Sequence, residues 1–232
     1  MITTILFDLD DTLFDQREHL RGAYSAVADC AADCEGLPRD RVTATLWRLV
    51  EERGTASGRL FNDLGQALGC AWGEVEIEVL VNAFYRYRPA ALPPFPGVVA
   101  LLETLAQQGY RLGVVTDGRP ALQRDKLALL HLPPVFGSVV VSDELGWAFR
   151  KPHRAPYLRA LADLDTAPSH ALYVGDNPRK DFAGANALGL TTVRVLTGEY
   201  APLSSTDWPL SARAALEIPT VADLPTALRG MS

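Results

Sequence analysis

An apolar segment near the start of the chain ends abruptly in three carboxylates, Asp8, Asp10 and Asp11. Residues 3–7 are β-branched or apolar and predict a strand that is buried on both faces. Packing gives no reason for acids at the end of such a strand, because an isolated charge is costly to bury. Ligands of open α/β sheets bind beyond the carboxyl ends of the strands. We therefore expect Asp8 and Asp10 to lie at a ligand site, and Asp11 to cap the turn that leaves the strand.

From Gly97 onward, strand-like and helix-like segments alternate along the chain. Such β–α alternation predicts an α/β fold with a doubly wound parallel sheet and helices on both faces. The first strand belongs to the same sheet, and the tail after Gly198 is expected to pack on the outside of this core. The predicted strands are 111–116, 138–142, 170–174 and 191–196, and the predicted helices are 98–108, 121–130, 153–162 and 180–188.

The segment between the first strand and this alternating region has a helical pattern, with apolar residues at helical spacing. It ends at a connector, residues 88–97, which contains four prolines. We predict a core domain formed by residues 1–14 and 89–232 and an inserted helical-bundle domain formed by residues 15–88. A helical domain that hangs on two linkers beside the ligand edge of a sheet is expected to act as a lid.

Composition excludes several classes of partner. The net charge is -6 and the pI is about 5.2, so the chain lacks the basic stripe that a nucleic-acid-binding protein needs. No apolar run reaches the ~20 residues that span a bilayer, so we expect no membrane partner. The chain opens without a signal-peptide pattern, and its three cysteines lack metal-site spacing. A reducing cytoplasm is the expected location.

Polar residues follow each of four predicted strands: Asp8 and Asp10 the first, Thr116-Asp117-Gly118 the second, Lys151 the third, and Asp176 and Asp181 the fourth. Carboxylates that converge on one point repel unless a cation lies between them, and hard oxygen ligands favour Mg²⁺. A lysine in the same pocket suits a phosphate group, and a glycine lets backbone N–H groups approach an oxyanion. A carboxylate can attack phosphorus as a covalent nucleophile.

The order and placement of these residues resemble the haloacid dehalogenase-like (HAD) superfamily, specifically its phosphatase branch. The D-x-D-x-T motif of that family stands here at residues 8–12, and Thr116, Lys151, Asp176 and Asp181 match its later motifs. The resemblance extends from Ile5 to about Glu199. It implies a Rossmann-like core of parallel strands in the order 5-4-1-2-3, with the helical insert as a type 1 cap.

The resemblance also implies which residues perform the chemistry and hold the metal. Asp8 would be the nucleophile and a Mg²⁺ ligand. Asp10 would be the general acid and base and would bind Mg²⁺ through its backbone carbonyl. Asp176 would be a direct metal ligand. Asp181 would support the water shell of the metal and orient Lys151.

The phosphate-binding residues implied by the resemblance lie on the neighbouring loops. Thr116 and the backbone of Asp117 and Gly118 would hold the transferring phosphoryl group, together with Asp8. Lys151 would neutralise charge between Asp8 and the phosphate. Phe14 and Arg17 adjoin the first linker, and we expect them to contact the substrate.

The predicted function is Mg²⁺-dependent hydrolysis of a small-molecule phosphomonoester through an aspartyl-phosphate intermediate. Asp10 disfavours the dehalogenase branch, which lacks an acid at this position. A Schiff-base phosphonatase needs a cap lysine, and no lysine occurs before Gln123. A sugar-phosphate mutase or phosphotransferase remains an alternative, as does a non-catalytic binding protein on the same fold. The oligomeric state stays open.

Overall fold

The apolar run near the start of the chain forms the central strand of a parallel sheet in the computed structural model. The structure describes residues 1–55 and 58–231, apart from the side chains of residues 34 and 35. The strands in this described part are β1 (Thr4–Phe7), β2 (Arg111–Thr116), β3 (Phe136–Val141), β4 (Ala171–Gly175), β5 (Thr191–Val195) and β6 (Leu216–Ile218). All adjacent strands run parallel, in the order β3-β2-β1-β4-β5-β6.

The predicted Rossmann-like parallel sheet is confirmed, but the predicted order 5-4-1-2-3 omits a strand. The structure adds β6 at the edge of the sheet, paired with β5. β6 is three residues long, and only its last residue, Ile218, is buried. So short a segment shows no alternation of buried and exposed residues, and for that reason the sequence predicted only a tail packed on the core.

Helices cover both faces of the sheet. Successive residues of a strand point to opposite faces, and here the residues on both faces are apolar. Ile5 and Phe7 of β1 belong to one buried cluster, and Leu6 between them belongs to another. The first cluster includes residues of α5 (Val98–Gln107) and α9 (Leu224–Gly230). The second includes residues of α7 (Ala155–Asp163) and α8 (Phe182–Leu188). α6 (Pro120–Leu129) follows β2.

The chain divides into two compact units. The core unit consists of Met1–Gln16 and Ala91–Ser232 and contains the sheet, and the helical unit consists of Arg17–Ala90. The helices of the second unit are α1, which begins one residue earlier (Gln16–Glu35), α2 (Arg39–Arg53), α3 (Leu60–Leu68) and α4 (Glu74–Arg86). Within the described residues, no helix is both long enough and apolar enough to cross a membrane.

The helical unit has an apolar core of its own. On α2 the buried residues Val42, Leu46, Leu49 and Val50 recur at helical spacing. They pack in one cluster with Tyr24 of α1 and with apolar residues of the other helices of this unit. Arg53 and the partly buried Asp63 form an ion pair at 2.5 Å, which links the end of α2 to α3. The helices predicted from the spacing of apolar residues are therefore present.

The register of the sheet determines where the polar strand ends meet. Phe7, the last residue of β1, lies beside Val114 of β2 and Val174 of β4. The backbone N–H of Asp8 still donates to the carbonyl of Val174, at 2.8 Å. Asp8, Thr116 and Asp176 consequently leave three adjacent strands at the same edge of the sheet.

Candidate active site

Asp8 lies at the centre of the site and is completely buried. Its Oδ1 accepts a hydrogen bond from Nζ of Lys151 at 2.7 Å. Its Oδ2 is buried and accepts no hydrogen bond from any residue that the structure describes, although Nζ of Lys180 lies 3.4 Å away. Burial disfavours the charged form of Asp8, but the two lysines outweigh burial and lower its pKa below the ordinary value. Asp8 is therefore held as a carboxylate with one oxygen available for chemistry.

Lys151 connects three groups inside the core unit. Its Nζ donates to Asp8, to Oδ1 of Asp181 at 2.7 Å, and to the hydroxyl oxygen of Tyr173 at 2.9 Å. An ammonium group has three protons, so this arrangement satisfies all of them. Burial lowers the pKa of Lys151, but Asp181 and Asp8 more than compensate, and the net shift is upward. Lys151 stays charged although its side chain is fully buried.

Tyr173 of β4 completes this network, and sequence reasoning missed it because a tyrosine in an apolar strand looks like an ordinary core residue. Its hydroxyl donates to Oδ1 of Asp181 at 2.9 Å. Burial and the charge of Asp181 raise the pKa of Tyr173 well above 10.0, so the hydroxyl keeps its proton. Gly175, two residues further on, leaves the space that Asp181 fills, since a Cβ at this position would lie 2.6 Å from Oδ2 of Asp181.

Asp8, Asp176 and Asp181 form a buried cluster of carboxylates, each with an oxygen within 4.8 Å of the others. Asp181 has both oxygens occupied, because Oδ2 accepts from the backbone N–H of Asn177 at 2.9 Å. Burial, together with the charge of Asp181, raises the pKa of Asp176 well above 3.8. A cation among these acids would offset that repulsion.

This donor set fits a divalent metal ion. The available groups are carboxylate oxygens, which are the ligands that Mg²⁺ prefers. The buried Oδ2 of Asp8 accepts no hydrogen bond from the described residues. Its lone pairs are therefore available to bind a metal ion. The structure thus brings Asp8, Asp176 and Asp181 together, as the sequence predicted. The roles of ligand and supporting residue remain proposals.

Lys180 is a further basic residue at this cluster that the sequence analysis treated only as the start of a helix. Its side chain is 27% exposed, and Nζ approaches Oδ2 of Asp8. Burial opposes its charge, but Asp8 and Asp181 raise the pKa of Lys180 well above 10.5. Its position between Asp176 and Asp181, the two acids that follow the fourth strand, is the signal that could have identified it.

Asp10 and Thr116 meet side chains of α6. The carboxylate of Asp10, whose side chain is 15% exposed, lies 2.6 Å from Nζ of Lys126. Gln123 donates both to Oδ2 of Asp10, at 2.9 Å, and to Oγ1 of Thr116, at 2.6 Å. Sequence reasoning missed Lys126 and Gln123 because polar residues inside a helix usually face solvent. Their spacing of three residues on one helix face was the available signal.

Asp117 and Gly118 follow Thr116 at the end of β2. The carboxylate of Asp117 accepts from Oγ of Ser142 at 2.5 Å and from the backbone N–H of Lys151 at 3.1 Å. Asp117 therefore ties the loop that carries Lys151 to the neighbouring strand end. These contacts involve the side chain of Asp117. The predicted binding of phosphate by its backbone N–H therefore stays a proposal. Gly118 has a φ of 134°, a conformation that favours glycine.

Asp11 has a positive φ of 57° and accepts hydrogen bonds from the backbone N–H of Gln16 at 3.0 Å and from its side chain at 2.9 Å. It thus occupies the turn between β1 and α1. Burial raises the pKa of Asp11 to about 6, against the opposing hydrogen bonds from Gln16.

Two predicted substrate contacts lie near this turn. Phe14 is fully buried in the apolar cluster of the core unit, and Nζ of Lys126 lies 5.9 Å from the centre of its ring. Phe14 therefore packs among apolar neighbours of the core unit, and its predicted contact with the substrate stays a proposal. Arg17 is exposed in the first turn of α1, where the helical unit begins.

The parallel sheet and the buried acid cluster at its edge define an α/β protein with a candidate active site. The chain belongs to the haloacid dehalogenase-like hydrolase family, whose model matches residues 2–189.

Individual relatives specify the branch. The chain is 33% identical over 204 residues to the glyceraldehyde 3-phosphate phosphatase of Methanopyrus kandleri, and the alignment covers 86% of each chain. It is 35% identical over 199 residues to the phosphoglycolate phosphatase of Rhodospirillum rubrum, covering 83% of this chain and 79% of that one. Among solved structures, the HAD phosphatase from Thermococcus onnurineus matches with a TM-score of 0.67 at 25% identity and 99% coverage of both chains. The predicted membership in the phosphatase branch is confirmed.

Proposed function

We propose that this protein is a Mg²⁺-dependent phosphatase that hydrolyses a small phosphomonoester through an aspartyl-phosphate on Asp8. One observation carries the proposal: Asp8 is a buried carboxylate with Oδ1 held by Lys151 and with no described hydrogen-bond donor to Oδ2. An acid in this state is ionised and fixed in direction, and one of its oxygens accepts no hydrogen bond from the described residues. Those are the requirements for a carboxylate nucleophile.

The metal would be held by Asp8, Asp176 and the backbone carbonyl of Asp10, and Asp181 would support its water shell. Bound there, Mg²⁺ would neutralise the charge of the acids and of the phosphoryl group. Lys151 contributes positive charge at Oδ1 of Asp8. The hydroxyl of Thr116 and the backbone N–H groups of Asp117 and Gly118 bind the phosphoryl oxygens.

In the first step an oxygen of Asp8 attacks phosphorus, and the bond between phosphorus and the ester oxygen breaks. Asp10, in its acid form, gives its proton to the departing oxygen, so the product leaves as an alcohol. Lys151 and Thr116 stabilise the charge that spreads over the phosphoryl oxygens during transfer.

In the second step Asp10 is a carboxylate and takes a proton from a water molecule. The water oxygen attacks phosphorus, and the bond between phosphorus and Asp8 breaks. Inorganic phosphate leaves, Asp8 is again a carboxylate, and Asp10 is again an acid. Water therefore supplies the oxygen that appears in phosphate.

The names of the relatives support a small substrate. Glyceraldehyde 3-phosphate and phosphoglycolate are short, acyclic phosphomonoesters, and the matched relatives are named as phosphatases of these compounds. We propose a substrate of this size for the present protein. We also propose that the helical unit, Arg17–Ala90, acts as the cap that selects the substrate.

The test is phosphate release from a panel of short-chain phosphomonoesters and an aryl phosphate, with added Mg²⁺ or with EDTA. We expect wild type to release phosphate only with Mg²⁺ and Asp8→Asn to lose about 10⁴-fold or more of this activity, since an amide cannot attack phosphorus. Asp165→Asn is the matched control, because Asp165 is an exposed loop carboxylate of the core unit. Full activity of Asp8→Asn would contradict the mechanism, and isomerised esters without free phosphate would indicate a mutase.

A further inference from the structure

Two side chains of α6 engage both oxygens of Asp10. Nζ of Lys126 donates to Oδ1 at 2.6 Å, and Nε2 of Gln123 donates to Oδ2 at 2.9 Å. Residues three apart lie on the same face of a helix, so α6 presents both groups to one carboxyl. Gln123 is 1% exposed and Lys126 is 6% exposed. A helix of the core therefore holds Asp10 at two points.

Gln123 also joins Asp10 to Thr116. The same Nε2 atom donates to Oγ1 of Thr116 at 2.6 Å, so both of its protons are used. Gly118 gives this side chain room, because a Cβ at Gly118 would lie 3.3 Å from Gln123. The residue proposed to move the proton and the residue proposed to hold the phosphoryl group are thus fixed relative to each other by one amide.

Lys126 is an unusual residue for a buried helix face, since removing an ammonium group from water is costly without a charged partner. Its partner here is Asp10, and its Nζ lies over the ring of Phe14. Each carboxylate oxygen has two lone pairs. An oxygen that accepts one hydrogen bond from α6 therefore keeps a second direction in which to meet the ester oxygen or a water molecule.

We propose that Lys126 and Gln123 are positioning residues, which hold the carboxyl of Asp10 in the direction needed for proton transfer. The inference rests on the proposed phosphatase function. Proton transfer requires the acid to lie within hydrogen-bond reach of the atom that receives the proton. A carboxyl group that rotates freely about its side-chain bonds spends only part of its time in that direction. The two donors of α6 remove this freedom.

The test compares two esters that differ in their need for an acid. An alkyl phosphate releases an alkoxide, which must be protonated, whereas 4-nitrophenyl phosphate releases a stable aryl oxide. The ratio kcat/KM reports the first chemical step for each ester. We expect Lys126→Met to lower kcat/KM for an alkyl phosphate by about 10- to 100-fold, within the usual range for general acid catalysis, and to change the aryl value by less than about 3-fold. Lys126→Arg, which keeps the charge, should recover part of the loss.

Gln123→Leu gives a second test that leaves the buried charge pair intact. It should show the same preference for the aryl ester, with a smaller loss, because the donor that remains on Asp10, Lys126, is the charged one. Asp10→Asn is the reference and should show the largest difference between the esters. Arg124→Met is the matched control on the same helix, since Arg124 is 53% exposed and pairs with Glu144.

The outcomes separate this inference from the proposed function. If Asp10→Asn distinguishes the two esters and Lys126→Met and Gln123→Leu lower both equally, the α6 residues are structural and the inference is wrong while the phosphatase function stands. If wild type hydrolyses neither ester, the proposed function fails and this inference fails with it. A thermal unfolding curve for each variant shows whether it is folded at the assay temperature. Loss of activity in a folded variant does not come from unfolding.

Discussion

Nζ of Lys151 lies 2.7 Å from Oδ1 of Asp8, and both side chains are fully buried. The cost of burying a charge is compensated in an ion pair only while both members are present. Lys151 has a second acid, Asp181, at the same distance. The lysine is therefore the charge that allows two carboxylates to be buried side by side.

Removing this charge should destabilise the fold as well as the chemistry. We expect Lys151→Met to lower the free energy of unfolding by about 3–5 kcal/mol, because both acids lose their buried partner, and to abolish phosphate release. Urea unfolding in EDTA measures the first effect. The double variant Lys151→Met/Asp181→Asn should recover part of the stability but none of the activity. Unchanged stability of Lys151→Met would show that the acids are not charged in the folded protein.

Asp11 should make stability depend on pH. Its pKa in the folded protein is about 6, above its ordinary value of 3.8. The folded state therefore prefers the protonated form, and the resulting stability is fully present below pH 3.8 and is lost as pH rises through about 6. We expect Asp11→Asn, which cannot ionise, to be more stable than wild type above about pH 6, by up to about 3 kcal/mol.

Thermal unfolding in EDTA across this pH range tests the prediction for Asp11. The advantage of Asp11→Asn should shrink as pH falls through about 6 towards 4. Asparagine tolerates the positive φ of this position, so the substitution adds no backbone strain. The exposed Asp165→Asn control should show no such trend. An advantage that is the same at every pH would contradict the assigned ionisation.

Arg194 of β5 should set the metal affinity through the loop that carries Asp176. It is 1% exposed, donates to the backbone carbonyl of Asp176 at 3.3 Å, and forms an ion pair with Glu217 of β6 at 2.8 Å. Its guanidinium group also donates to the carbonyls of Tyr200 and Leu203 at 2.5 and 3.1 Å. Lysine cannot reproduce this fork of donors. We expect Arg194→Lys to weaken Mg²⁺ binding by about 10- to 100-fold.

Calorimetric titration of Mg²⁺ into the substrate-free protein measures that affinity without reference to turnover. Arg159→Lys is the matched control, since Arg159 is 60% exposed and pairs with Asp163 on the surface of α7. Equal Mg²⁺ affinity in wild type and in folded Arg194→Lys would show that the buried arginine supports only the sheet.

Gly175 should not tolerate a side chain. A Cβ there would lie 2.6 Å from Oδ2 of Asp181, whose two oxygens are already engaged. We expect Gly175→Ala to cost about 1–3 kcal/mol of stability, because a buried and fixed carboxylate must move. Chemical unfolding provides the measurement. Gly230→Ala, where nothing lies within 4 Å of the added Cβ, should be neutral. A neutral Gly175→Ala would indicate that Asp181 can shift freely.

The sequence predicted the parts of this fold that carry a strong local pattern. β1, β2 and β4 are continuous apolar runs that end in polar residues, so both the strands and the meeting of Asp8, Thr116 and Asp176 followed from the pattern. Parallel strands bring their carboxyl ends to one edge of the sheet. The acid cluster was therefore predictable without knowledge of any contact.

The residues that sequence reasoning missed depend on contacts between distant parts of the chain. Lys126 and Gln123 meet Asp10 across 116 and 113 residues, and their shared face on α6 does not by itself show that this face is buried. The apolar pattern of β4 gives no sign that the hydroxyl of Tyr173 bonds to Lys151 and Asp181. β6 pairs with β5, and its three residues give too weak a signal to predict it.

The position of β1 between β2 and β4 has a consequence for biosynthesis. Asp8 is separated from Lys151 by 143 residues, and Asp181 follows 30 residues later. At a synthesis rate of about 5–20 residues per second, roughly 10 to 30 s pass between the emergence of the nucleophile and that of its last partner. The central strand lacks both neighbours until β2 has emerged, and it lacks β4 until residues 171–175 have emerged. The acid cluster can therefore assemble only after Asp181 has left the ribosome, and until then the apolar faces of β1 have incomplete cover.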